Sequence, residues 1–380
     1  MARRAGGESS IRKGGDGRWH GYVSMGLKDG GQRDRRHVAS VSRAGVLRQG
    51  RDLEDQRENG VVLAGGRSIT LEQWMTLWID TIAARKVRPS TLVVYRTCLK
   101  RINLYLGHHR LDRLQPEHLE RFYIRLETDG LSPTTALLHH RVLSRALKIA
   151  LQRGRIARNV ATLVDAPTAS HEEVEPLTNS EARRLLEAAR GLPNGARWSV
   201  ALALGLRQGE ALGLPWDAVD LDSGTLTVRW ALQRQAGKGL VLVLVPPKSK
   251  AGRRTIKLPD QLRDALRAHR VRQHEQRLAA AGVWEDGGFV FCQGNGRPLD
   301  ARRDWQDWKA LLTSAGVRDA RLHDARHTAA TMLLQQGVPA RVAMQILGHS
   351  QISLTLGTYS HVVPELAQEA GDGIGTALWS

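Results

Sequence analysis

Six side chains in the carboxyl-terminal half of the chain have the chemistry needed to break and rejoin a phosphodiester bond. Each is basic or phenolic and stands in a short motif: Arg207 in Gly-Leu-Arg-Gln-Gly-Glu, Lys250 in Pro-Lys-Ser-Lys-Ala-Gly, His323 and Arg326 in His-Asp-Ala-Arg-His, His349 in Leu-Gly-His-Ser, and Tyr359 in Gly-Thr-Tyr-Ser-His. Without a metal ion, such a reaction needs a nucleophile, positive charge around the pentavalent phosphate and an acid for the leaving 5′-oxygen. These residue types supply all three.

The nucleophile, the phosphate ligands and the acid can be assigned from side-chain chemistry. Tyr359 offers a phenol, which is a better leaving group than an alkoxide and therefore keeps a covalent step reversible. Arg207 and Arg326 offer planar donor forks to the non-bridging phosphate oxygens, and their charge favours the phenolate. Lys250 is suited to protonate the 5′-oxygen, with Lys248 as a rival for that role.

The histidines have both a catalytic and a metal-binding interpretation. His323 would act as a base or phosphate ligand, and His349 as a further donor to the phosphate. His323 and His327 have a spacing that can bind zinc, but no Glu follows His323 and no carboxylate or thiolate occurs at a matching spacing. We therefore expect no metal site, and we expect Glu210 and Asp324 to pair with nearby arginines. Because bond energy is conserved in such a transfer, no nucleotide cofactor is needed.

Taken singly, these residues also fit ordinary structural roles. Tyr359 could belong to the core, Arg207 could cap the carboxyl end of an apolar helix, and Lys250 could be a solvated charge in a basic turn. These roles are independent of one another, so all of them would have to hold at once. The joint pattern favours the chemical interpretation.

The composition of the chain indicates an anionic partner. Its 380 residues carry a formal net charge of +18, and Arg outnumbers Lys by 46 to 10. Guanidinium groups suit phosphate contacts, so nucleic acid is the expected partner, although a GC-rich genome would also raise the Arg content. Two cysteines, Cys98 and Cys292, cannot form a disulfide framework or a four-thiolate zinc site and are typical of a cytosolic protein. No stretch is apolar enough to span a membrane, and residues 1–15 lack the apolar core of a secretory signal.

Two regions precede the part of the chain that carries the motifs. Residues 1–66 combine short strands, tight turns, a helix over Arg43–Glu58 and a glycine-rich exit, which predicts a three-stranded sheet plus a helix. Residues 67–165 have helical periodicity. Their four helices are predicted to begin near Thr70, Pro89, Pro116 and Ser132. With 17 basic against 8 acidic residues between 67 and 170, this region has the charge expected of a helical bundle on DNA phosphates.

Residues 166–176 hold two prolines and small residues and are predicted to be a linker, and residues 177–380 form the third region. An apolar helix is predicted over Trp198–Leu206, and most of the remainder is helical. Strand-like runs occupy Thr225–Gln233, Leu240–Val245 and Arg254–Leu258. Lys250 would then lie in a tight turn between two strands. The predicted fold class is mainly α with small β-sheets, α+β.

In order, spacing and flanking residues, the six motif residues resemble those of the tyrosine site-specific recombinases of the phage integrase family. The resemblance covers nearly all of residues 177–380, which would form a mixed helix and β-hairpin catalytic domain of the DNA breaking–rejoining type. Residues 67–165 look like the helical core-site-binding domain of that family, and residues 1–66 are similar to its small arm-site-binding domain. The resemblance implies metal-independent strand exchange through a 3′-phosphotyrosine intermediate, which would integrate or excise a phage or other mobile element.

The resemblance also implies partners. These are double-stranded DNA attachment sites, a homotetramer assembled on them, and in some systems a DNA-bending accessory protein and a directionality factor, all in the cytoplasm or nucleoid of a bacterial host. Three alternatives stay open. A chromosome-dimer-resolving recombinase normally lacks an added domain like residues 1–66, a type IB topoisomerase does not exchange partners, and a non-catalytic DNA-binding regulator has no need of Tyr359 or Lys250.

Overall fold

The computed structural model describes residues 10–27, 33–58, 69–169, 175–237, 239–247 and 250–348. The chain divides into two compact units between residues 171 and 172. Most described residues are helical, and their β-structure consists of two three-stranded sheets and one two-stranded sheet. The predicted fold class is confirmed, whereas the domain limits at residues 66, 165 and 176 stay predictions. Within the described ranges, no helix is long and apolar enough to cross a membrane.

The first sheet is antiparallel, with β1 (Ser10–Lys13), β2 (Trp19–Leu27) and β3 (Arg33–Ser40) in the order β1-β2-β3, and α1 (Arg43–Glu58) packs on it. Its small core joins Val23, Val38 and Val46. A Cβ atom on Gly21 would lie 2.8 Å from Cγ1 of Val46, so a glycine is required where α1 crosses the sheet. The sheet and helix predicted from the sequence are confirmed, and the glycine-rich exit lies outside the described residues.

Four helices form the next part of the chain: α2 (Leu71–Leu77), α3 (Pro89–Leu106), α4 (Pro116–Thr128) and α5 (Pro133–Gln152). A π-helical segment, Trp78–Ala83, continues α2. Thr70 caps α2 in a capping box with Gln73, as the sequence predicts, because the two residues satisfy each other's backbone N–H groups. The core contains Trp74, whose indole N–H donates to the carbonyl of Ala146 at 3.0 Å.

In the second unit, the buried helix α7 (Ala196–Leu204) follows α6 (Asn179–Ala188) and contributes to two apolar clusters. Val200 and Leu204 pack with Leu226 and Phe291, whereas Trp198 packs with residues that include Trp308. Both sides of α7 are therefore buried in apolar clusters. The short helix α8 (Gln208–Leu212) begins only four residues later.

The strands of this unit differ from the prediction. They are β4 (Val219–Asp220), β5 (Thr225–Val228), β6 (Ala231–Gly237), β7 (Gly239–Val245) and β8 (Arg254–Lys257). The predicted single strand Thr225–Gln233 is therefore wrong: β5 joins a sheet of order β4-β5-β8, and β6 pairs with β7. The break follows from packing, since Leu226 and Val228 of β5 belong to the main core but Leu232 of β6 packs with Leu212 and Leu299.

The remaining helices are α9 (Asp260–Ala280), α10 (Ala301–Ser314), α11 (Leu322–Gln335) and α12 (Ala340–Leu347). Gly348 ends α12 in the left-handed conformation, with φ of 69°. These four helices lie in the part of the chain that the sequence predicts to be mostly helical.

Candidate active site

Arg207 occupies the turn between α7 and α8. The sequence pattern placed it at the end of an apolar helix, but it is the residue that precedes α8, and Gly205 ends α7 with φ of 58°. A Cβ atom on Gly205 would lie 2.6 Å from Cδ2 of Leu347 and 3.2 Å from Cβ of Ala329. The turn is thus fixed by a left-handed glycine packed against α11 and α12. The alternative in which Arg207 caps the carboxyl end of α7 is excluded, because Gly205 holds that position.

His323 and Arg326 stand on the first turns of α11, which crosses this same turn. Arg326 is buried, and its Nη1 donates to the carbonyl oxygen of Gly205 at 2.7 Å. Asp324 accepts hydrogen bonds from the backbone and the side chain of Arg321, which starts the helix. The pairing of Asp324 with an arginine, expected from the sequence, is therefore present.

Glu210 lies between two arginines. Its Oε1 accepts from Nη1 of Arg207 at 2.7 Å, and its Oε2 accepts from Nη2 of Arg254 at 3.0 Å. Burial acts to raise the pKa of Glu210, but the charges and hydrogen bonds of Arg254 and Arg207 outweigh it and hold the pKa below its usual value. Glu210 is therefore ionised at neutral pH, and the Arg207 side chain that it orients is 41% exposed.

The end of α12 also contacts Arg207. Nη2 of Arg207 donates to the carbonyl oxygen of Gly348 at 2.8 Å, and Nε of Arg254 donates to that of Ile346 at 2.6 Å. A Cβ atom on Gly348 would be only 3.0 Å from the carbonyl oxygen of Ala251. Gly348 thus packs against the short 3-10 turn Lys250–Gly252 that leads into β8.

Lys250 begins that turn, but the turn is not the tip of a hairpin as the sequence pattern suggested. The preceding strand β7 pairs with β6, and the following strand β8 pairs with β5, so the turn connects two different sheets. The side chain of Lys250 lies outside the described part of the structure. Lys248, His349 and Tyr359 also fall on residues that are not described.

The structure therefore brings together the described members of the predicted set, Arg207, His323 and Arg326. His323 is half-buried, and its pKa is lowered to about 4, first by burial and then by His327, Arg326 and Arg207. A histidine in this setting is neutral at neutral pH. The neutral ring can donate one hydrogen bond without adding charge to the site, or it can accept a proton and become a cation.

The pKa of His323 makes stability depend on pH. Between its ordinary pKa of 6.5 and its folded pKa of about 4, the unfolded chain binds a proton that the folded chain does not. We expect the free energy of unfolding of the wild type to fall as pH falls through this window, and to fall less steeply in His323→Gln. The measurement is the thermal midpoint of the full chain against pH. His274→Gln, at an exposed position on α9, is the matched control. Equal slopes for the wild type and His323→Gln would contradict the assignment.

A cavity of about 130 Å³ adjoins His323 and Arg326 and is also lined by Arg197 and Gln208. Arg197 forms a two-pronged ion pair with Asp304, at 3.1 and 3.2 Å, and both side chains are essentially fully buried. Sequence reasoning missed this pair, and it also missed Arg254. For Arg197, the available signal was a lone charge at the start of an otherwise apolar helix.

Comparison with known proteins adds independent information. The chain matches the phage integrase family over residues 175–365 and the N-terminal SAM-like domain of phage integrases over residues 70–126. An integrase of Saccharopolyspora erythraea is 39% identical over 429 aligned positions, which cover 99% of this chain and 98% of the relative. A XerC-like tyrosine recombinase of Caldanaerobacter subterraneus is 30% identical and covers 79% of this chain and 81% of its own length.

The fold is similar to a solved structure as well. The integrase of transposon Tn1549, in complex with a circular intermediate DNA, superposes with a TM-score of 0.70 at 24% identity. The match covers 81% of this chain and all of the Tn1549 chain. At this level of identity, the likeness concerns the fold.

Proposed function

The chain belongs to the phage integrase family and is a DNA strand-transferring tyrosine recombinase, and from this premise we propose how its own residues carry out the reaction. The proposed set consists of the residues expected from the sequence: Arg207, Lys250, His323, Arg326, His349 and Tyr359. The observation that supports it best is the packing of Arg326 and Arg207 on one turn. The partly exposed guanidinium of Arg207 and the half-buried ring of His323 lie within electrostatic range of each other there.

In the proposed cleavage step, the phenolic oxygen of Tyr359 attacks the scissile phosphorus. A bond forms between that oxygen and the phosphorus, and the bond to the 5′-oxygen breaks. Neutral His323 accepts the phenolic proton, and Lys250 gives a proton to the 5′-oxygen. Arg207, Arg326 and His349 hold the non-bridging oxygens, where charge develops.

Rejoining is the reverse of this step. A 5′-hydroxyl from another duplex attacks the 3′-phosphotyrosine, and the phenolic oxygen of Tyr359 leaves. Because one phosphoester replaces another, the exchange conserves bond energy and uses no nucleotide cofactor. We infer that four protomers act on two double-stranded attachment sites, and that the reaction integrates or excises a mobile element.

The experiment that tests this function uses DNA from the junctions that flank the element encoding the chain. Incubation with two such duplexes should give recombinant strands and a detergent-resistant adduct between protein and DNA. A topoisomerase would relax supercoils without recombinant products, and a DNA-binding regulator would give neither product nor adduct.

A chromosome-dimer-resolving role is a second candidate, supported by the XerC-like relative at 30% identity. The sheet and helix formed by described residues between 10 and 58 favour the integrase instead. We propose that this module binds arm-type DNA sites.

Removal of residues 1–66 tests the role of that module. We expect the shortened protein to bind and cleave core sites but to recombine full attachment sites poorly, because the sheet and α1 share a core of their own. Band-shift and recombination assays on the same DNA measure the two properties. Recombination of full attachment sites at the wild-type rate would exclude arm binding.

The choice between Lys250 and Lys248 can be decided with a modified leaving group. A general acid is needed only when the leaving group is poor, and sulfur in the 5′-bridging position leaves without a proton. We expect Lys250→Ala to cleave normal DNA slowly and the sulfur-bridged substrate almost normally, with Lys248→Ala affecting both substrates alike or neither. Rescue by sulfur confined to Lys248→Ala would transfer the acid role to Lys248.

A further inference from the structure

Arg254, on strand β8, has no role in the steps above, yet its guanidinium group donates hydrogen bonds to three different residues. Nε donates to the carbonyl of Ile346 at 2.6 Å, Nη1 to the carbonyl of Gly252 at 3.2 Å, and Nη2 to Oε2 of Glu210 at 3.0 Å. The side chain is only 7% exposed. It is thus fixed at the point where the end of α12, the turn of Lys250 and the start of α8 meet.

The charged side chains of Arg254, Glu210 and Arg207 are joined by hydrogen bonds, with Glu210 between the two arginines. Glu210 is 4% exposed and gives one carboxylate oxygen to each guanidinium, while Oε2 also accepts the backbone N–H of Arg207 at 3.2 Å. With Glu210 ionised, the trio carries a net charge of +1, and the exposed member is Arg207. Arg254 therefore balances the carboxylate and leaves the charge of Arg207 to act on a ligand.

We propose that Arg254 is a positioning residue for DNA cleavage, which keeps the guanidinium of Arg207 oriented and effectively cationic by sharing the carboxylate of Glu210. The inference rests on the proposed role of Arg207 as a phosphate ligand. Arg254 does not touch the DNA in this scheme and acts only through Glu210.

Loss of Arg254 would change Arg207 in two ways. The buried carboxylate would retain a single cationic partner, so both of its oxygens would be drawn to Arg207. Arg207 would then be neutralised by Glu210 and turned from the position in which it meets the phosphate. A donor that must first break an ion pair is no longer preorganised, and it therefore stabilises the transition state less than the free Arg207 guanidinium would.

Two different roles for Arg254 would give different results. Arg254 could act through the carbonyl of Gly252 on the turn that holds Lys250, and so affect the general acid. Alternatively, its three hydrogen bonds could only stabilise the fold. The experiment separates both roles from the proposed route through Glu210.

The test compares Arg254→Met, Arg254→Lys and the double variant Arg254→Met/Glu210→Gln in the full chain. Arg253→Met is the matched control, since Arg253 is the exposed neighbour on the chain and carries the same charge. Cleavage is measured in single turnover at saturating protein on a nicked duplex from the junction DNA. Binding and the thermal midpoint are measured in parallel.

We expect Arg254→Met to bind DNA as Arg253→Met does but to cleave at least about tenfold more slowly, a smaller loss than the hundredfold typical of a deleted phosphate donor. Arg254→Lys should cleave faster than Arg254→Met, because it keeps a charge beside Glu210 while losing the donor fork. The double variant should also be faster than Arg254→Met, because it no longer holds the carboxylate that neutralises Arg207. A merely structural role predicts the opposite order for the double variant, and that result would overturn the proposal.

The sulfur-bridged substrate provides the remaining distinction. Lys250→Ala, the proposed acid variant, should be restored by sulfur, whereas the defect of Arg254→Met should persist. Restoration of Arg254→Met by sulfur would show that Arg254 acts through the acid, and it would overturn the route through Arg207. If Arg207→Ala is slow but Arg254→Met equals Arg253→Met, the inference alone fails. If the wild type forms no adduct, the proposed function fails.

Discussion

Tyr359→Phe should abolish cleavage of DNA and covalent attachment, while DNA binding stays within about a few-fold of the wild type. The substitution removes only the phenolic oxygen and retains the ring and every basic side chain. The measurement is a nicked substrate that traps the 3′-phosphotyrosine, followed by denaturing electrophoresis.

Tyr95→Phe is a suitable control for this experiment. The ring of Tyr95 stacks on Trp78 at 5.4 Å between centroids and is far along the chain from the motifs. It should form the adduct at the wild-type rate. An adduct formed by Tyr359→Phe would place the nucleophile on another side chain.

The second large effect is expected at the two arginines. Arg207→Ala and Arg326→Ala should each lower the cleavage rate by about a hundredfold or more, the scale observed when an enzyme loses a donor to developing negative charge. Since Arg326 is buried and bonded to Gly205, Arg326→Lys should be made as well. It keeps the charge but not the planar fork, and we expect it to remain folded and slow.

Arg303→Ala, at an exposed position on α10, controls for the loss of positive charge. The cleavage rate on a relaxed, nicked duplex should also survive a chelator, because no metal is assigned a step. Strict dependence on a divalent ion, or wild-type rates in both arginine variants, would contradict the mechanism.

Local signals in the sequence were sufficient to predict most helices. The pair of Thr178 and Glu181 forms the capping box expected from its spacing, and Ser132 caps α5 ahead of its proline. Such signals depend on residues three or four apart, which interact wherever the rest of the chain lies. Helix starts of this kind can therefore be predicted without knowledge of the fold.

The strand pairing could not be predicted in the same way. The run Thr225–Gln233 has the composition of one strand, but the change of core at Arg229 depends on residues far away in the chain. The same change explains why the turn at Lys250 is not a hairpin tip. A hairpin tip would require β7 and β8 to pair with each other, whereas β7 pairs with β6 and β8 pairs with β5. Strand partners are fixed by tertiary packing rather than by local pattern.

The same distinction between local signals and tertiary packing applies to the residues of the candidate site. Motifs identified Arg207, His323 and Arg326, and the pairing of Glu210 with an arginine was expected, but Arg254 as the second partner of Glu210 was not. Arg254 looks like an ordinary basic residue in a basic segment, and its importance appears only when β8, α8 and α12 are assembled. The pair of Arg197 and Asp304 is separated by more than a hundred residues and shares no motif.

Gly205 connects the two arginines in a way that would mislead a mutational scan. Its carbonyl oxygen receives Arg326, its left-handed backbone directs the chain into Arg207, and the space that a side chain would need is filled by Leu347 and Ala329. We expect any replacement to displace Arg207 and Arg326, the two proposed phosphate ligands, together. In a scan that measures recombination after substitution at each position, this glycine would therefore rank beside Tyr359, the proposed nucleophile, although it carries no reactive atom.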